Sequence, residues 1–133
     1  NLSEADVFKA KLLQLKLQME EFLKVPVYDN KRHFTAFLEM YIDTLYARRN
    51  QFAKDIAITP VALSQVLNNH REPKEEFMLK LMVHSERAFK LIGDFQKKIW
   101  YEVYFQEKIN ETMATQDVWR PEVEKEVKFD SLI

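Results

Sequence analysis

A chain of 133 residues, 47% hydrophobic and 31% charged, has the length of one domain and a globular composition, which excludes a disordered chain. One Gly and four Pro are too few turn residues for an all-β fold, the absence of Cys excludes disulfides and thiolate metal sites, and no apolar run approaches the ~20 residues of a membrane span. The net charge of −1 gives no general attraction for nucleic acid, but from Asn30 to Lys74 the bases Lys31, Arg32, Arg48, Arg49, Lys54, Arg71 and Lys74 outnumber the acids Glu39, Asp43, Asp55 and Glu72, a local balance of +3.

The abundance of Leu, Lys, Glu, Gln and Ala predicts an all-α fold. No signal peptide is visible, although the chain begins at Asn1 without Met and some residues can precede it, and a cytoplasmic protein with no membrane partner is expected. The first helix is predicted over Ser3–Lys24. Ser3 with Asp6 resembles a capping box, and Ala5, Phe8, Leu12, Leu15, Met19 and Phe22 form one apolar stripe. Such a stripe packs on its own domain or on a second subunit. Pro26 ends this amino-terminal segment, taken as residues 1–28.

A second helix is predicted over Asn30–Arg48, with Phe34, Phe37, Leu38, Tyr41, Ile42 and Leu45 as its apolar face. Lys31, Arg32 and His33 at its start suit either phosphate contact or solvation. Two short helices follow between Arg49 and Asn68. Thr59 suits an N-cap and Pro60 the first helical position. The turn between them favours Gly at one residue of positive φ, where this chain has Ala57. That placement costs roughly 1–2 kcal/mol. Asn69 stands where a left-handed C-cap is expected. Phe52, Ala53, Ile56, Ile58, Leu63 and Val66 fill the inner faces.

A fifth helix is predicted after Pro73, burying Phe77, Met78, Leu81 and Met82, so that a core spans residues 30–84. A long last helix, residues 85–117 with a break between His84 and Gly93, carries two apolar stripes. One is Phe95, Ile99 and Val103, and the other Tyr101, Phe105, Ile109 and Met113; Trp100 and Tyr104 add to both. A helix apolar nearly all round must be covered nearly all round. A two-fold homodimer interface is the favoured cover, and a long helix lying across the amino-terminal helix of one chain is the alternative. The tail, residues 118–133, reads as neither helix nor strand, because Pro121 breaks the pattern.

The run FAKDIAITPVALSQVLNNHREP, followed by FMLKLM, resembles the lambda-repressor-like (Xre-type) helix-turn-helix family, near its host-inhibition-of-growth antitoxin and plasmid-maintenance branch. The resemblance covers Phe37 to Met82, about a third of the chain. It implies a lambda-repressor-like domain with an added amino-terminal helix and a long carboxy-terminal one. The partner it implies is double-stranded DNA, bound by a dimer acting as a transcription regulator. In the antitoxin variant a small toxin protein is a further partner. A third possibility is an interaction module with a degenerate helix-turn-helix.

The family's base-reading positions fall at Thr59, Pro60, Val61, Ala62, Gln65 and Asn68, with Ser64 a further polar candidate. Gln pairs bidentately with adenine, and Val or Ala meets a thymine methyl. Arg49, Asn68, His70 and Arg71 are the candidates for phosphate, with Lys54 and Arg48 behind them. One direct polar base reader, Gln65, leaves specificity leaning on phosphate register and DNA shape. His33, His70 and His84 have no metal-site spacing; His70 reads as a turn residue and His84 as a partly buried helix residue. With no phosphate loop and no nucleophile elbow, neither an enzyme nor a cofactor is expected.

Overall fold

The computed structural model describes residues 3–129. Among them are seven α-helices and no strand: α1 (Glu4–Lys24), α2 (His33–Leu45), α3 (Arg49–Asp55), α4 (Pro60–Leu67), α5 (Glu75–Ala88), α6 (Ile99–Ala114) and α7 (Gln116–Glu126). The all-α expectation is met.

α1 begins where the sequence predicts, with the Ser3 hydroxyl accepting the Asp6 N–H at 3.1 Å. Leu12, Leu15 and Met19 are fully buried, Phe8 and Phe22 partly so, and Ala5 is exposed. The stripe packs against α2 and α6 of the same chain. The central element is α2, which touches α1, α3, α4 and α6. Its buried Phe34, Phe37, Leu38, Tyr41 and Ile42 supply the middle of the core. Each such side chain contributes roughly 1.5–3 kcal/mol when fully buried. Around Tyr41 the rings of Phe52, His84 and Trp100 stand edge-on, and Phe89 stacks on it.

α2 is shorter than the predicted 30–48 at both ends. Before it, the Asp29 carboxylate accepts the Lys31 N–H at 3.1 Å and pairs with the His33 ring, which holds the chain in a turn. The first turn is then satisfied from a distance. Glu107, buried on α6, accepts the Phe34 N–H at 3.0 Å. A carboxylate there also complements the helix dipole. After α2, Tyr46 is extended (φ −130°, ψ 139°).

The expected long last helix, residues 85–117, is a correction. α5 runs on to Ala88, a 3₁₀ turn covers Phe89–Leu91, and Gly93 takes φ 109° before α6 starts at Ile99. The stacked Phe89 and Phe95 rings, 3.9 Å apart, close the reversal. α6 lies across α1 and α2 and buries Ile99, Trp100 and Val103. Its other stripe is only partly covered: Tyr101 packs against the core, while Phe105 is 54% and Ile109 48% exposed.

The tail is a second correction. Residues 116–126 form α7 with Pro121 in its interior. An interior proline removes one N–H bond and crowds the carbonyl of the preceding turn, a cost of about 3 kcal/mol. Arg120 pairs with Glu124 and Gln116, and Lys125 with Glu122, across single turns. The Trp119 indole N–H donates to the Thr112 carbonyl at 2.8 Å, which fixes α7 to the end of α6. The last part of the expected tail, 130–133, lies outside the described residues.

Candidate nucleic-acid interface

α3 and α4 owe their geometry to two successive C-caps. At the end of α3 the Ile58 N–H donates to the Ala53 carbonyl at 2.9 Å and the Ala57 N–H to Lys54 at 3.1 Å. At the end of α4 the His70 N–H donates to Gln65 at 2.9 Å and the Asn69 N–H to Val66 at 3.1 Å. Both pairs are Schellman motifs, which need a left-handed residue after the cap. Ala57 (φ 53°) and Asn69 (φ 59°) fill those positions, as the sequence predicts. Asn69 is further held by the Thr35 hydroxyl, which donates to its Oδ1 at 3.2 Å.

Between the caps, Thr59 starts α4 by accepting the Ala62 N–H on its hydroxyl at 3.0 Å, and Pro60 occupies the first position. Leu63, Val66 and Leu67 are buried, while Phe52, Ala53 and Ile56 close the same core from α3. The turn is also tied from outside. Lys80 on α5 donates to the Ala57 carbonyl at 3.1 Å and pairs with Glu76 at 2.9 Å. Sequence reading missed this tether, because nothing local connects residues so far apart.

The outward side of α4 presents Thr59, Pro60, Val61, Ser64 and Asn68 as exposed residues, with Ala62 and Gln65 half-buried. Val61, Ser64, Gln65 and Asn68 share one helical stripe. Val61 is 65% exposed. The Asn68 amide donates to the Ser64 hydroxyl at 3.1 Å, linking two of the candidates.

The phosphate candidates divide. His70 and Arg71 are exposed on the loop after α4, and Arg48 and Lys54 are exposed at the ends of α3. Arg49 is already engaged. Its Nε and Nη2 donate to the two Asp43 carboxylate oxygens at 3.1 and 3.0 Å, and Glu39 lies 4.0 Å from Nη1. The Asp43 bonds raise the guanidinium pKa. Glu72, on the same loop as Arg71, is drawn toward α6, where Lys108 and the Tyr104 hydroxyl hold its carboxyl below the usual range.

Behind α3 lies a network absent from the sequence reading. The Tyr46 hydroxyl donates to Asp55 at 2.6 Å and so accepts from His84 Nε2 at 2.6 Å. In the neutral ring, which burial favours, His84 Nδ1 accepts from the Tyr41 hydroxyl at 2.5 Å. The chain ties α2, α3 and α5 together. Burial lowers the His84 pKa, opposed by Asp55, and burial raises those of Tyr41 and Tyr46.

Among the described residues no three His, Asp or Glu side chains gather into a metal-holding group, and no helix is long and apolar enough to cross a membrane. No family model, curated protein or solved structure matches the chain.

Proposed function

We propose that the protein is a sequence-specific DNA-binding transcription regulator, with α3 and α4 as a helix-turn-helix and α4 as the recognition helix of a dimer. The observation that carries the reading is the α4 surface. A short helix, capped at both ends, turns Thr59, Val61, Ser64, Gln65 and Asn68 outward beside the loop that carries His70 and Arg71. Such a helix reads base edges in the major groove while flanking cations hold phosphates. A dimer would place two copies about one helical turn of DNA apart.

The test is a fluorescence titration of the protein against duplexes selected from a random pool. Binding that falls steeply with salt is expected, with Gln65→Ala costing about 1–3 kcal/mol at an adenine position and little elsewhere. Affinity that is absent at low salt, or indifferent to it, would overturn the reading.

A second reading is favoured by the apolar surface at the carboxy-terminal end. Val118, Val123, Val127 and Phe129 are 46–88% exposed along and beyond α7, which buries nothing of its own. An antitoxin-type regulator would place such a segment on a small toxin protein. Co-purification of a neighbouring gene product, lost on truncation before Gln116, is the expected result. The ion pair of Arg49 with Asp43 favours a third reading, an interaction module that has lost DNA binding.

A further inference from the structure

We propose that the cleft between α4 and α5 binds a small carboxylate with a short apolar body, and that this ligand competes with DNA for Arg71. The competition rests on α4 being the DNA-facing helix; the binding itself does not.

The cleft has a volume of about 250 Å³. That leaves room for a short hydrocarbon body of a few carbons against its walls. Ile58, Ala62, Val66 and Phe77 form an apolar wall, which favours a hydrocarbon body over a bare inorganic anion.

Charge decides the head group. Two carboxylates reach the cleft, and both are engaged: Glu76 with Lys80 at 2.9 Å, and Glu72 with Lys108 at 2.8 Å and with Tyr104. Arg71 and Lys74 also line it, and neither pairs with a carboxylate among the described residues. The rim thus offers two free cations to an apolar pocket, and a guanidinium matches a carboxylate through two parallel hydrogen bonds. An amine would meet only carboxylates that already hold a lysine.

The place of the cleft gives the ligand an effect. Thr59 and Ala62 line it from the side of the candidate base-contacting face, and Arg71 is a candidate phosphate contact. An occupant that engages Arg71 withdraws that charge from DNA. Binding at the two sites is then reciprocal and opposed.

The experiment is a titration of the full chain with hexanoate at constant ionic strength, followed by amide chemical shifts, with hexanol as the neutral control. Saturating shifts at Ile58, Ala62, Val66 and Phe77 are expected, with a dissociation constant on the order of 1 mM for so small a molecule. Arg71→Gln and Lys74→Gln change exposed side chains, so both variants should keep the dispersed spectrum of the folded chain. Each should bind hexanoate at least about tenfold more weakly, Lys74→Gln by losing one charge-assisted hydrogen bond and Arg71→Gln by losing its paired ones. Shifts that do not saturate, that centre elsewhere, or that hexanol reproduces at equal affinity overturn the site. Saturating hexanoate should weaken DNA binding several-fold; hexanoate binding with unchanged DNA affinity overturns the competition. Loss of all DNA binding without hexanoate overturns the regulator reading, while the shift titration still decides the cleft.

Discussion

Ala57 is the residue at which the backbone works hardest. Its φ of 53° is forced by the Schellman cap of α3, and Lys80 holds its carbonyl from α5. An L-residue there costs roughly 1–2 kcal/mol, which glycine avoids. Ala57→Gly is therefore expected to stabilise the fold by about 1 kcal/mol, measured by urea unfolding, less the greater entropy of a glycine when unfolded. His84 makes the other prediction at this scale. Burial lowers its folded pKa beneath the ordinary value of 6.5, so the unfolded chain takes up a proton first as pH falls. The stability this group contributes is fully present above pH 6.5 and is lost as pH falls toward its folded pKa. The slope it adds cannot exceed about 1.4 kcal/mol per pH unit. Denaturation midpoints of the wild type and His84→Gln, compared from pH 8 down to pH 5, isolate it; parallel curves would exclude the network as their cause.

At the scale of elements, the junction of α2 with α3 controls what the proposed DNA face can offer. Arg49 opens α3 and points back to Asp43 on α2, so part of its charge is committed before any phosphate arrives. An exposed pair of this kind contributes only about 0–1 kcal/mol to stability. Its larger consequence falls on a partner. Asp43→Asn is expected to leave unfolding nearly unchanged, to tighten DNA binding, and to steepen the dependence of log K on log salt by about one unit. An unchanged salt slope would remove Arg49 from the contact set. The apolar spacing of α1 and the Thr59-Pro60 start of α4 are legible in the sequence because helix caps and stripes are settled within a few residues. The start of α2 at His33 is not, because Glu107 on α6 supplies its first-turn acceptor. Nor is α7, where pairs across single turns and the Trp119 bond to α6 outweigh one proline.

For the whole molecule, the proposed dimer needs an apolar surface that the chain's own core does not use. α1 and one stripe of α6 are spent on the chain's own core. One apolar surface left outside that core is the second α6 stripe, where Phe105 and Ile109 are about half exposed beside Tyr101 and Met113. A dimer built there is expected to separate in Phe105→Lys, with its dissociation constant raised tenfold or more, roughly the cost of a central aromatic. Sedimentation velocity reads that change. Thermal unfolding of the variant at low concentration should stay within about 0.5 kcal/mol, since the ring is not part of the monomer core.

The sequence by itself determined the helical class, the two left-handed caps at Ala57 and Asn69, and the set of residues α4 can turn outward. Each of these depends on backbone sterics or on periodicity over a few neighbours. Only the tertiary structure decided that α6 folds back over α1 and α2, that Arg49 is held by Asp43, that Glu107 starts α2, and that Tyr41, His84, Tyr46 and Asp55 join in one hydrogen-bonded chain. Those contacts bring together residues from different elements, and a one-dimensional pattern carries no record of which distant faces meet.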